Sequence, residues 1–276
     1  MKSKIIFLGL FSISLFSCKN EGKKEDIEVE NTTPLVDTID LNLPIKKDVH
    51  LESGISIQWL EEGNGPKVED GKVYHIDYRV RLEDSTIIDG VHLLKKEFIP
   101  YLVGYNMQPK GWDLTMNELH VGDFVRAQIP SRLLRGEKEV KGLIPKHADN
   151  FLNIRVLKEV PPSRVIDGVK VWIMEQTTKK TALFNENNEV EFYTMISTKS
   201  NPFYYNSFAT GKPFRAKLED NGILPGLKKA LINAKKGDRL LILVPSDQAY
   251  GSKGFHDIVK PNEEVFFNLY VNDVIE

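Results

Sequence analysis

Leu240-Leu241-Ile242-Leu243-Val244-Pro245-Ser246-Asp247-Gln248-Ala249-Tyr250-Gly251 is the stretch from which the fold of this chain can be read. Five consecutive apolar residues make a strand, and Pro245 ends it because a proline has no N–H to give a central ladder. Ser246-Asp247-Gln248 supplies turn chemistry before the ring of Tyr250, and Gly251 lets the backbone bend directly after it. Taken alone, the stretch is equally an ordinary exit from strand to loop. Its neighbours separate the two readings.

Upstream, in Gly222-Ile223-Leu224-Pro225-Gly226-Leu227-Lys228-Lys229-Ala230-Leu231, residues Leu224, Leu227, Lys228 and Leu231 fall at helical spacing around a Pro-Gly start. Downstream come the loop Gly254-Phe255-His256-Asp257-Ile258-Val259-Lys260-Pro261 and a strand over Val265-Phe266-Phe267-Asn268-Leu269-Tyr270-Val271. The order is helix, Lys-Gly-Asp turn, strand, Val-Pro-x-x-x-Ala-Tyr-Gly, Ile-Val-x-Pro loop and final strand. It resembles the FKBP-type peptidyl-prolyl isomerases, and the match runs in order through about a hundred residues, far more than any single motif.

The same pattern occurs twice. Gly122-Asp123 matches Gly237-Asp238, Pro130-Ser131 matches Pro245-Ser246, and Tyr78 matches Tyr193, each offset by about 115 residues. The first unit is expected over 50–160. Its strands are predicted over 55–60, 73–80, 124–129 and 151–157, with a short helix starting at Lys110-Gly111-Trp112. Val160-Pro161-Pro162-Ser163 breaks the pattern, since consecutive prolines neither pair nor continue a helix. The second unit is expected over 165–276. Several strands with one short helix in each unit indicate an α+β fold of two tandem domains, each a curved antiparallel sheet wrapped around a helix. The resemblance implies the same fold, with a cleft between helix and sheet.

Before these units, Met1-Lys2-Ser3-Lys4 carries two cations, and the apolar run Ile5 to Phe16 is too short for a typical transmembrane helix. It reads as a secretory signal over 1–18. Ser17-Cys18 at its end resembles the bacterial lipoprotein box, which implies a lipidated Cys18 and attachment to a bacterial cell membrane, on the periplasmic side or the cell surface. The alternative is a stray thiol within a discarded peptide. Cys18 is the one cysteine of the chain, so no intramolecular disulfide can form. Residues 19–49 are rich in Lys, Glu, Asp and Asn, with too few apolar residues to bury, and read as a flexible tether. The charges of Lys23-Lys24-Glu25-Asp26 are either solvated linker or a sorting signal.

The formal net charge of −2 offers no broad basic field, so nucleic acid is not an expected partner. No nucleophile–base pair, Cys/His zinc pattern or glycine-rich phosphate loop is apparent, and neither a metal nor a cofactor is expected. His75 lies in a predicted strand and reads as structural, while His120, His147 and His256 lie in predicted loops. Prolyl isomerisation makes and breaks no covalent bond and needs none of these groups. It needs relief from a barrier of about 18–20 kcal/mol, which an apolar cleft provides by favouring the twisted, less polar amide.

For the second unit the resemblance implies Tyr250, Tyr193 and Phe267 as catalytic residues. It implies a substrate wall of Tyr205, Asn206, Phe214, Ile223, Leu224, Leu227, Ile258 and Val259. Leu227 stands at the floor where the family usually has tryptophan, and Asn206 where it usually has aspartate. Tyr250 is the expected hydroxyl donor to the bound peptide, and Leu224 the expected backbone N–H donor. Singly, each apolar residue here reads more readily as core, and it is the ordered set that argues for a site. In the first unit, Tyr78, Ile88, Asp89, Trp112, Leu143, Ile144 and Leu152 match the corresponding positions. Arg135, however, replaces the tyrosine equivalent to Tyr250, and Gln108-Pro109 replaces Ile223-Leu224, so a backbone donor is lost with the proline.

The expected function is therefore prolyl cis–trans isomerisation assisting exported proteins from a membrane anchor. Proline-containing polypeptides are the clients, the second unit is active and the first is degenerate. The alternative is a non-catalytic chaperone or scaffold that uses both clefts to bind peptide.

Overall fold

The computed structural model describes residues 40, 43–134, 144–178, 180–202 and 204–276. The expected signal segment, Cys18 and most of the expected tether lie outside the described residues.

The first sheet is built from β1 (Lys47–His50), β2 (Ser56–Glu61), β3 (Val73–Arg81), β4 (Ile87–Gly90), β5 (Ile99–Leu102), β6 (Phe124–Ile129) and β7 (Asn150–Val160). Its order is β1-β2-β6-β7-β3-β4, with β5 also pairing β3. The tether gives way to structure earlier than its composition suggests. Lys47, Asp48, Val49 and His50 pair with Trp59, Gln58, Ile57 and Ser56, so the polar composition of β1 reflects an exposed edge strand and not a free linker. Helix α1 (Lys110–Met116) has Pro109 at its N-cap, where a missing N–H costs nothing to the helix. Trp112 and Met116 of this helix are buried, as are Ile76, Tyr78, Leu152 and Ile154 of the sheet. The buried Asp113 carboxylate accepts from the Tyr101 hydroxyl at 2.7 Å and from the Gly104 and Asn106 N–H groups at 2.8 and 2.9 Å. Burial nevertheless pushes the Asp113 carboxyl above its ordinary range.

The second sheet comprises β8 (Arg164–Ile166), β9 (Val169–Glu175), β10 (Glu189–Ser197), β11 (Tyr205–Asn206), β12 (Phe214–Ala216), β13 (Arg239–Val244) and β14 (Val265–Ile275). Its order, β11-β10-β14-β13-β9-β8 with β12 also pairing β10, is that of the first sheet read from the opposite edge. A short helix α2 (Ser207–Thr210) follows β11, and α3 (Pro225–Leu231) begins with proline at its first turn. The guanidinium of Arg164 donates to the carbonyls of Ala230 and Ile232 at the end of α3, where orphan acceptors and the helix dipole favour a cation.

The repeat is visible in backbone detail. Gly122 and Gly237 adopt φ of +98° and +92°, a region closed to most side chains. Their N–H groups donate to Val156 and Val271 at 2.8 and 2.9 Å, closing equivalent turns before β6 and β13. Both of these strands end at a proline, Pro130 or Pro245, and pass into a single turn of 3-10 helix, Ser131–Leu133 or Ser246–Gln248. The chain thus leaves the two sheets by the same route, and in the second sheet that route delivers Tyr250.

Candidate functional site

In the second unit, apolar residues of α3 and of the sheet form one cluster. It joins Leu227 of α3 to Phe192 and Ile196 of β10, Ile242 of β13, Phe267 of β14 and the loop residue Val259. Ile223, Leu224, Phe214, Tyr204, Tyr250 and Ile258 pack against it while keeping part of their surface exposed. Phe192 and Phe214 lie opposite each other across β10 and β12, with ring centroids 5.6 Å apart. Tyr205 meets Phe214 at 4.9 Å and is 37% exposed, so it forms a rim more than a wall. Phe267 pairs with Ile196 on one side and Ile242 on the other, which places it on the central strand of the sheet.

Tyr250 sits between two turns of 3-10 helix, Ser246–Gln248 and Gly251–Lys253. Its ring stacks on Phe255 at 4.8 Å. Phe255 is held by a small loop in which the Phe255 N–H donates to Val259 O at 2.9 Å and the Val259 N–H returns a bond to Phe255 O at 3.1 Å. Gly254 makes that loop possible. Its φ is +67°, and a Cβ there would lie 2.3 Å from the Val259 oxygen. Asn201 donates to Ile258 O at 3.1 Å, and Glu263 accepts from the Ser200 N–H and the Lys260 N–H, so both loops beside the rings are pinned. Leu224 is the N-cap of α3, and its carbonyl accepts from Lys228. Its N–H donates to none of the described residues, as the first unsatisfied donor of a helix commonly does.

One expected site residue faces the wrong way. Phe192 and Val271 are direct partners across β10 and β14 and both belong to the cluster, whereas Tyr193 pairs with Tyr270 on the opposite face and stacks on Phe208 at 5.5 Å. Tyr193 is therefore not part of the wall, and the inward ring is Phe192. Physically, a slip of one residue in a strand turns a side chain to the other face, and the repeat offset does not hold at this position. The alternation Val190, Phe192, Ile196 carried the signal. Asn206 is also committed elsewhere. Its side-chain oxygen accepts from the Ala209 N–H at 3.1 Å as the N-cap of α2. Phe255 and Tyr204 were absent from the expected set. The ring following Gly254 was a readable signal for the first, and nothing distinguished the second from Tyr205.

In the first unit the Tyr78 hydroxyl donates to Asp89 at 3.2 Å, and Asp89 also accepts from the Gly90 N–H at 2.7 Å. Burial raises both groups above their ordinary ranges, with the Asp89 charge adding to the shift of Tyr78. Trp112, Ile144 and Leu152 are buried, Trp112 lying 6.1 Å from the ring of Tyr101, and Ile88 is half-buried. Gln108 is buried and Pro109, without an N–H, occupies the cap position that Leu224 holds in the second unit. Arg135 and Leu143 lie outside the described residues.

Comparison with known proteins agrees with this internal repeat. The family model described as FKBP-type peptidyl-prolyl cis-trans isomerase matches residues 65–157 and again 181–272. Mouse "Peptidyl-prolyl cis-trans isomerase FKBP10" is 21% identical over 217 residues, covering 75% of this chain and 35% of that protein, so the chain spans about a third of the length of this relative. "FKBP-type peptidyl-prolyl cis-trans isomerase FkpA" of Escherichia coli is 35% identical over 81 residues, which cover 29% of this chain and 28% of the relative. The "FK506-binding protein" of Neisseria meningitidis serogroup B is 30% identical over 105 residues, 38% of this chain and 95% of that protein. Among solved structures, the three FKBP domains of wheat FKBP73 align with a TM-score of 0.40 at 19% identity, covering 81% of this chain and 96% of that one. With two family matches that together span most of its length, the chain belongs to the FKBP-type peptidyl-prolyl cis-trans isomerase family.

Proposed function

We propose that this protein catalyses cis–trans isomerisation of X-Pro bonds, that the reaction runs in the second unit, and that its clients are exported polypeptides met from a lipid anchor at Cys18. The observation that carries the reading is the pairing of two donors with one apolar cluster. Tyr250 and Leu224, whose N–H donates to none of the described residues, both pack against the cluster that holds Phe192 and Phe267. A proline ring seated against that cluster leaves water. The amide then loses the hydration that favours its planar, polar form, and the two donors hold the neighbouring peptide groups while the C–N bond turns. No step requires a covalent intermediate. Lowering the barrier by about 5–7 kcal/mol corresponds to roughly four to five orders of magnitude in rate.

The first unit is assigned a peptide-holding or spacing role. Pro109 stands at the cap position where a donor is needed, and buried Gln108 adds a polar group where the second unit has Ile223. The test is made on the full chain with a short X-Pro peptide. Leu224→Pro, which removes the N–H as Pro109 does in the first unit, combined with Tyr250→Phe is expected to remove most of the activity, and Trp112→Ala little of it. The reverse pattern would move the reaction to the first unit, and an inactive parent chain would leave peptide binding as the function. For the anchor, Cys18→Ala is expected to abolish processing and partitioning into detergent. An unchanged partition would sink that part of the reading.

A further inference from the structure

The described part of the second unit contains a hydroxyl that none of the interactions above uses. Tyr204 lies one residue before the rim residue Tyr205 and packs against the same apolar cluster as Ile223, Leu224, Tyr250 and Ile258. Its hydroxyl oxygen is shielded from solvent and has no hydrogen-bond partner among the described residues. A buried hydroxyl left without a partner costs about 1–3 kcal/mol, so a side chain as easily replaced by phenylalanine calls for a reason.

The neighbouring group supplies one. Burial raises the Tyr204 hydroxyl well above its ordinary range, and the next contributions come from Tyr250 and then from Glu263. After burial, the side chain of Tyr250 is the largest influence on Tyr204, by charge and by a hydrogen-bonding approach of the two hydroxyls that stops short of full alignment. Tyr250 has one proton and can direct it either to a bound peptide carbonyl or elsewhere. A donor on its oxygen removes the second choice and polarises the remaining O–H.

Resting on the reading that the second unit is the isomerase, we infer that Tyr204 is a positioning residue. Its hydroxyl donates to the Tyr250 oxygen once peptide occupies the cleft, and so aims the Tyr250 proton at the peptide carbonyl. The proton donated by Tyr204 stays on Tyr204 throughout, and no charge develops on either ring. The free protein carries the unpaired hydroxyl, and the bound one satisfies it.

The test is a double-substitution cycle on the full chain, reading kcat/KM for an X-Pro peptide and the thermal midpoint. Tyr204→Phe is expected to lower kcat/KM by about two- to tenfold, the value of one neutral hydrogen bond, without lowering the thermal midpoint. In the Tyr250→Phe background, adding Tyr204→Phe is expected to change kcat/KM by less than about twofold, because its route to substrate is already gone. An equal fall in both backgrounds would show that Tyr204 acts on packing or directly on substrate and would overturn the inference. An active parent unchanged by Tyr204→Phe would remove the role of Tyr204 alone, whereas an inactive parent would remove the isomerase reading and this inference with it.

Discussion

Each unit has what the other lacks. The first keeps a tyrosine hydroxyl closed on a carboxylate, Tyr78 to Asp89, has a buried tryptophan, and has proline where a backbone donor would be. In the second, Phe192 belongs to the apolar cluster in place of a hydroxyl, Asn206 caps a helix, and Tyr250 and Leu224 both pack, partly exposed, at the edge of that cluster. The two sheets have the same strand order, so the fold does not decide which set of groups is present. The polar wall and the ligand donors are separable parts. The proposed isomerisation depends on the donors, which would hold the peptide groups beside the bond that turns.

The sharpest way to break this comparison is at Phe192. Removing a buried ring from the core costs about 3–5 kcal/mol, so Phe192→Ala should unfold the second unit at lower denaturant while the first retains its hydrogen-exchange protection. Loss of protection in both units together would show that they do not fold independently. Gly254→Ala comes next. A positive φ and a clash with the Val259 oxygen should together cost about 1–3 kcal/mol and loosen the loop that carries Phe255, Ile258 and Val259. Activity should fall further than stability at assay temperature accounts for, and intact activity would mean that this loop is not part of the site.

A smaller effect is expected at Asn206, where alanine removes the cap of α2 at a cost of about 1 kcal/mol in unfolding experiments. If Asn206→Ala instead lowered kcat/KM without touching stability, the side chain would belong to the polar wall after all. The smallest effect is a pH dependence confined to the first unit. Burial holds the Asp89 carboxyl above its ordinary range, so the folded state binds that proton more tightly than the unfolded state does. The stability it contributes is full below the ordinary carboxylate range, near pH 4, and is lost as pH rises through the raised value. Asp89→Asn should flatten that decline in denaturation midpoints, and an unaltered slope would assign it to another group such as Asp113.

The strands and the route to Tyr250 were legible because they rest on local chemistry. An apolar run before Pro245 has one way to end, and Gly237 marks the turn before it. The start of α3 was legible for a similar reason, since Pro225 at the first turn fixes where the helix begins. Tyr193 was misplaced because a constant repeat offset cannot register a slip of one residue, and the facing of a strand depends on that residue. The commitment of Asn206 needed the geometry of α2, although an Asn before Ser-Phe-Ala-Thr is itself a cap signal. Tyr204 was invisible because its distinguishing property is an unpaired atom, and pairing is not written in a single residue. The start of the first sheet was misread for another reason. Polar composition describes solvent contact, which a linker and an edge strand share.

That edge strand has a consequence for a protein whose proposed work lies among unfolded chains. Both sheets end in short strands: β1 and β4 have four residues each, β8 has three and β11 has two. β1 also carries Lys47, Asp48 and His50 outward. An extended client segment arriving from solution finds little ladder to extend and charges where it would dock. The cleft can then take hold of a client briefly at a proline, while the sheet margins offer it nowhere to stay.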